Sequence, residues 1–153
     1  MSRWIAHVER TLIEEVPAPP EEVREFYADL DNIRLVHPLI QSVRLLARSE
    51  TLGGCQRSYR VVDRIPLGPF AMQVAYHAHL SVTSHGEVHT EAAQFPRVRL
   101  YGRVTFVGTD GGTRLTERIR IAAPRPLASC TTRAAVKAHL AMLSGIRCHF
   151  ESR

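Results

Sequence analysis

The segment from residue 14 to residue 38 constrains the fold of this chain more than any other part of the sequence. Residues 16–23 read VPAPPEEV, and proline is tolerated in the first turn of a helix because the N–H it lacks would have no partner there. Glu21 and Glu22 follow where the helix dipole favours negative charge. A second break at Asp31 precedes His37 and Pro38. The pattern predicts two short helices directly after a first strand.

Length and cysteine usage set the class of protein. A chain of 153 residues is long enough to bury a core, and we expect residues 1–153 to form a single domain. No apolar run approaches the roughly 20 residues of a membrane span, and the first residues lack the apolar region of a signal peptide. Three cysteines without a CxxC pair argue against a disulfide scaffold and a zinc site. We therefore expect a cytoplasmic protein with no stable membrane insertion.

The formal net charge of +5 raises the question of a nucleic-acid partner. Of the 20 basic residues only Lys137 is a lysine, a bias typical of a GC-rich coding sequence. The charges form no block, and the aromatic residues do not alternate with the arginines as a stacking platform requires. We expect no nucleic-acid partner.

Alternating apolar and polar residues predict about seven strands with short antiparallel links. The predicted strands span residues 4–16, 40–48, 55–65, 70–82, 87–93, 97–107 and 113–122. Turn signals at 51–54, 66–69, 84–86 and 110–112 separate most of them. The period then changes to that of a helix over residues 127–150. Because a one-sided sheet needs cover for its apolar face, we expect this helix to pack on it.

This order of elements resembles the helix-grip fold of the START/Bet v 1-like superfamily, also called SRPBCC, in its polyketide cyclase/dehydrase-like branch. The resemblance rests on the corner at 16–23, on His37 and Pro38, on Gly53 and Gly54, and on the last hairpin at 111–116. It implies an α+β fold: a curved seven-stranded antiparallel sheet wrapped around a long C-terminal helix, with two short helices between strands 1 and 2. Members include polyketide cyclases, lipid and sterol carriers and hormone receptors. The resemblance implies no cofactor and no metal.

In such a fold a pocket lies between the sheet and the long helix, and strand parity identifies the side chains that face it. We expect residues from five strands, the second short helix and the long helix to bind a ligand there. They are Arg10, His37, Arg57, Tyr59, Met72, Val74, Tyr76, Val104, Glu117, Val136, His139 and Leu140. For His37 and His139 the alternatives are a local hydrogen bond and a satisfied core position.

Four ionisable residues fall on the inward faces of the predicted strands: Arg10, Arg57, Glu117 and, near a strand end, Asp63. Buried charges cost several kcal/mol unless they are paired or hydrated. Either these groups form a polar cluster in a pocket, or Arg10 and Glu117 simply pair across adjacent strands, or a bulge or register slip turns one of them outward. A carboxyl group in such a pocket can act as a general acid or base. The catalytic candidates are therefore Glu117, Arg10 and Arg57.

A second set of polar residues falls on the opposite face of the predicted sheet. Hairpin pairing predicts His79 opposite His89 and His77 opposite Glu91, on a face extended by a stripe of arginines: Arg97, Arg99, Arg103, Arg118 and Arg120. The alternatives are an adventitious zinc site, a homodimer contact, a membrane-docking surface and a plain solvated face.

Three functions follow from these patterns. The first is a protein that binds a hydrophobic or aromatic small molecule, lipid-like or polyketide-like, between the sheet and the C-terminal helix. The second is a polyketide cyclase, aromatase or dehydratase acting in the same cavity, with Glu117, Arg10 or Arg57 moving protons. The third is a regulatory partner protein whose pocket is vestigial.

Overall fold

The computed structural model describes residues 3–67 and 69–153; Gly68, in the predicted turn at 66–69, lies outside them. Within these ranges seven strands and three helices follow in order: β1 (Ile5–Val16), α1 (Pro20–Tyr27), α2 (Leu30–Val36), β2 (Ile40–Thr51), β3 (Gly54–Leu67), β4 (Phe70–Thr83), β5 (Val88–Gln94), β6 (Val98–Thr109), β7 (Gly112–Pro124) and α3 (Arg125–Glu151). The strands form one antiparallel sheet in the spatial order β1-β7-β6-β5-β4-β3-β2. The predicted helix-grip fold is confirmed.

The proline-rich corner begins the helices as the sequence predicts. Pro19 is the N-cap of α1 and Pro20 lies in its first turn. Asp29 caps α2, because its side chain accepts a hydrogen bond from the N–H of Asp31 at 2.9 Å. The corner is held to β7 by Thr113, whose hydroxyl donates to the carbonyl oxygen of Ala18 at 2.6 Å.

The core lies between α3 and the inner face of the sheet. The helix packs on β1, β7 and α2, and its apolar stripe meets the inward residues of β7. The buried members of these two elements are Leu115, Ile119 and Ile121 of β7 and Met142, Leu143, Ile146 and Phe150 of α3. At the other end of the sheet, Leu45 and Leu46 of β2 are about half exposed. The helix therefore covers one side of the sheet and leaves β2 to β4 extending past it.

The pairing of β4 with β5 differs from the prediction by two residues. His79 lies opposite Glu91, and His89 lies opposite Ser81. The turn takes in Gly86, which has a φ of 84° and donates its N–H to the carbonyl oxygen of Thr83. Because the shift is an even number of residues, every side chain keeps its predicted face.

None of the three helices in the described ranges combines the length and the apolar character of a membrane-spanning segment.

Candidate functional site

The centre of the candidate site is Glu117, in the middle of β7. It faces inward opposite Val104 of β6, as predicted, and its side chain is 1% exposed. The hydroxyl of Tyr27 donates a hydrogen bond to Oε2 of Glu117, and Nδ1 of His139 bonds Oε1. Three elements far apart in the chain, α1, β7 and α3, thus supply one buried triad.

The triad is held together by charge. Burial opposes the ionisation of Glu117 and His139, but their mutual attraction outweighs it. The pKa of Glu117 is therefore lowered and the pKa of His139 is raised. Burial, and then the charge of Glu117, keep the pKa of Tyr27 well above its ordinary value. These shifts favour a carboxylate that accepts from an imidazolium and from a neutral phenol.

His37 lies beside the triad, where α2 ends. Its ring centre is 5.6 Å from that of His139, with the rings nearly perpendicular. Its Nδ1 accepts a hydrogen bond from the N–H of Leu39 at 3.2 Å, so Nε2 carries the proton of the neutral ring. Burial, and then the positive charge of His139, lower the pKa of His37 to about 4. His37 therefore presents a neutral N–H donor at Nε2.

A close approach of two helices fixes the position of His37. Gly145 of α3 lies against Val36 of α2, and a Cβ at position 145 would lie 2.8 Å from the Cβ of Val36. Only a residue without a side chain allows this separation, and Val36 directly precedes His37. The small residue in α3 thus determines how near His37 lies to His139.

A second polar pair lies on β3 and β4. The hydroxyl of Tyr76 donates to Oδ1 of Asp63 at 3.1 Å, and Asp63 is 7% exposed. Burial raises the pKa of Asp63 to about 6, although the bond from Tyr76 and the charge of His139 favour its ionised form. The same burial, followed by the charge of Asp63, raises the pKa of Tyr76. A carboxyl group that titrates near neutral pH can either take up or release a proton.

The inner face beside this pair is open to solvent. Met72 has the inward parity of Tyr76 but is 47% exposed, and Val74 between them is half-buried. Val136 of α3 is also half-buried, but it lies only about 20° around the helix from Arg147, on the side that faces β1. Because α3 packs on β1 and β7, Met72 and Val74 lie on inner sheet surface that the helix leaves uncovered, and we call this open strip of β4 beside α3 the groove. Its polar end is the cluster of Tyr27, His37, Asp63, Tyr76, Glu117 and His139, which we call the polar cluster.

Three further predicted site residues face inward but do not belong to the polar cluster. Val104 and Tyr59 are fully buried in the core. Arg57 faces inward but donates to the carbonyl oxygen of Ala28 at 2.6 Å. It thereby fastens β3 to the junction of α1 and α2.

Arg10 and Leu140 lie outside the polar cluster. Arg10 is exposed at the edge strand, and its guanidinium donates to the backbone oxygen of Glu9 at 2.8 Å. The carboxylate of Glu117 is bonded instead by Tyr27 and His139. Leu140 is 49% exposed and shares a helix face with Arg147, two turns further on, which approaches Glu14 of β1 at 3.4 Å. That face of α3 points along the edge of β1, away from the groove.

Two members of the polar cluster, Tyr27 and Asp63, were not among the residues predicted from sequence to bind a ligand or to catalyse a reaction. Tyr27 ends the apolar stripe of α1, after Val23 and Phe26, and a tyrosine on such a stripe carries its hydroxyl into the core. That spacing is the signal that points to it. Asp63 lies well inside β3 because the strand continues to residue 67, beyond the predicted end at 65.

The outer face of the sheet carries ion pairs and hydrogen bonds open to solvent. Glu87 accepts two hydrogen bonds from Arg103, each of 3.0 Å, and a third contact from His89. These bonds lower the pKa of Glu87 to about 2. His79 bonds Ser58 at 2.9 Å. Among the residues that the structure describes, no group of three or more His, Cys, Asp or Glu side chains is arranged to hold a metal ion.

Comparison with known proteins identifies the fold. No protein-family model and no curated protein sequence matches the chain. Solved structures match it over nearly its whole length. The ZhuI aromatase/cyclase from Streptomyces sp. R1128 is 17% identical with a TM-score of 0.74, covering 97% of this chain and 95% of that one. The protein TTHA0849 from Thermus thermophilus is 17% identical with a TM-score of 0.71, covering 97% of both chains.

A third similar structure is Ara h 8.0201, with 11% identity, a TM-score of 0.63 and coverage of 97% of this chain and 99% of that one. The chain therefore has the helix-grip fold shared by aromatase/cyclases and Bet v 1-like proteins, as the sequence resemblance implies. Identities this low establish the architecture, and the function has to be argued from the site.

Proposed function

We propose that the protein binds a small, largely apolar or aromatic molecule that carries a carbonyl or phenol group. The observation that supports this most directly is the exposure of inward-facing Met72 and Val74 beside a buried polar cluster. Apolar walls with a few convergent polar groups are the usual composition of a small-molecule site. The apolar part of the ligand lies between β4 and α3, and its oxygen meets the donors of His37 and His139.

Binding can be tested with a hydroxylated anthraquinone as a fluorescent probe. Met72→Arg places a charge in the groove and should weaken binding of the probe about tenfold or more. Val107→Arg is the matched control, because Val107 is 56% exposed on the outer face of β6. Equal affinities of the two variants for the probe would contradict a site in this groove.

The same cluster favours a second function, acid–base catalysis on a ketone of the kind that a cyclase or dehydratase uses. Asp63 has the pKa of a base that works near neutral pH. It would remove a proton from the carbon next to a carbonyl group, and the electron pair of the C–H bond would move to the carbonyl oxygen. Hydrogen bonds from His139 and His37 would stabilise the resulting enolate. The enolate carbon can then attack a second carbonyl of the same chain and close a ring.

This function has a readout that does not require the natural substrate. A hydroxylated aryl methyl ketone in D₂O exchanges its methyl protons slowly by itself, and the protein should accelerate the exchange seen by NMR. Asp63→Asn keeps the shape of the side chain and should reduce the acceleration about 100-fold or more, while the anthraquinone probe still binds. Glu91→Gln on the outer face is the control. Unchanged exchange in Asp63→Asn would eliminate Asp63 as the base.

A further inference from the structure

The outer face of the sheet carries two shallow grooves that differ in charge. One, of about 690 Å³, runs across β1 and β7 to β3, and both Glu9 and Glu91 line it beside arginines. The other, of about 790 Å³, lies at the end of the sheet where β1 begins and β5 turns into β6. Among the described residues that line this second groove none is acidic, and three are arginines: Arg97, Arg99 and Arg120.

Large exposed apolar side chains lie at the end of the sheet that carries the second groove. Phe95, in the turn between β5 and β6, lines it and is 92% exposed. Trp4, which precedes the groove residue Ile5, is 70% exposed. The carbonyl oxygen of Trp4 accepts a hydrogen bond from the N–H of Arg125 at 2.6 Å, so Trp4 is tied to the start of α3. Two free aromatic rings and a cluster of cations therefore share one end of the molecule.

We propose that this end of the outer sheet face docks on the surface of a bilayer that contains anionic lipids. Arginines bind the headgroup phosphates, and tryptophan and phenylalanine enter the region between headgroups and acyl chains. The surface lies on the face of the sheet opposite to Glu117, so the proposal does not depend on the function proposed for the groove.

The arrangement of the rings favours a bilayer over a nucleic acid. Stacking of bases requires free aromatic faces along the path of the strand. Tyr101 lies within the groove, and the guanidinium of Arg120 already covers its ring at 4.7 Å from the ring centre. Phe95 instead lines the groove beside the cations, and Trp4 lies at the same end of the sheet, as in a surface that enters a lipid interface.

Trp4 is the only tryptophan of the chain, so its fluorescence reports directly on the proposed surface. Vesicles of phosphatidylcholine with phosphatidylglycerol should shift the emission of Trp4 to shorter wavelength, and high salt should reverse the shift. Pure phosphatidylcholine vesicles should leave the emission nearly unchanged. Arg97→Gln with Arg120→Gln should lower the partition coefficient about 25-fold, about fivefold for each arginine.

The control is Arg44→Gln with Arg133→Gln, which removes the same charge from exposed positions on β2 and α3. Its partition should match that of the wild type. An equal loss of the partition coefficient in both double variants would show that the vesicles attract only the net charge of the protein, and it would overturn the proposal. So would the absence of a shift with anionic vesicles, or an equal shift caused by inorganic phosphate or a single-stranded oligonucleotide.

Discussion

At the scale of single residues, Glu117 can stay ionised in the core because two side chains donate hydrogen bonds to its carboxylate. A carboxylate without partners at a fully buried position would cost several kcal/mol. Tyr27 and His139 supply the hydrogen bonds, and His139 also supplies the opposite charge. Such a pair contributes little net stability compared with an apolar core, but the loss of one partner is costly. This asymmetry predicts how substitutions in the triad behave.

Glu117→Gln should lower the free energy of unfolding by on the order of 3 kcal/mol, because His139 loses the charge that compensates its burial. Urea denaturation measures the loss, and an NMR titration should show a lower pKa for His139. Glu87→Gln is the control on the outer face, where an ion pair contributes less than about 1 kcal/mol. A loss in Glu117→Gln no larger than in Glu87→Gln would contradict the role of the pair.

Asp63 and His37 should act on stability in opposite directions as the pH changes. Burial raises the pKa of Asp63 from 3.8 to about 6. Its contribution to the free energy of unfolding is therefore complete below about pH 4 and is lost as the pH rises through 6. The pKa of His37 is lowered from 6.5 to about 4. Its contribution is present above about pH 6.5 and is lost as the pH falls through 4. Each amounts to about 3 kcal/mol, so the two nearly offset each other.

Asp63→Asn should therefore expose the effect of His37. Its free energy of unfolding should fall by about 3 kcal/mol between pH 6.5 and pH 4, whereas His37→Gln should become more stable over the same interval. Urea denaturation across this pH range measures both. The same slope in the wild type and in both variants would contradict the opposed shifts.

At the scale of elements, the hairpin between β6 and β7 and the corner before α1 depend on each other. Gly112 has a φ of 147°, and a Cβ there would lie 2.2 Å from the carbonyl oxygen of Val16. The backbone of the corner therefore passes directly over this residue.

Gly112→Ala should destabilise the protein by about 3 kcal/mol or more, because the strained φ and the clash add. Gly111→Ala is the matched control, since nothing lies within 4 Å of its Cβ position. It should change the free energy of unfolding by less than about 1 kcal/mol. Thermal denaturation compares the two, and equal melting temperatures would refute this view of the corner.

The elements were predictable from sequence because their signals are local. Alternation places Glu117, Asp63 and Tyr76 on the inner face whatever the exact strand ends are. The centre of the turn between β4 and β5 lies one residue later than predicted, because several residues there tolerate a turn. This shifts the pairing of the two strands by two residues, so His79 lies opposite Glu91 but stays on its predicted face.

At the scale of the whole molecule, we expect the proposed ligand to stabilise the fold, because it would contact β4 and α3 at once. A probe present at about 100 times its Kd should add about 2.7 kcal/mol to the free energy of unfolding. For a chain of this size the melting temperature should rise by roughly 5–10 °C. Met72→Arg should show a much smaller rise at the same probe concentration. A rise as large in that variant would place the probe elsewhere.

The sequence by itself determined the order of the elements, the face of each strand and the helix-grip fold. These depend on backbone geometry that repeats every two or 3.6 residues. Only the tertiary structure decided which ionisable groups meet. Tyr27 and Glu117 are 90 residues apart in the chain, and Arg10 shares the parity of the inner face yet lies exposed at the sheet edge. Contacts between such distant residues depend on the curvature of the sheet and on the position of α3 across it. The local periodicity of the sequence predicts neither of these.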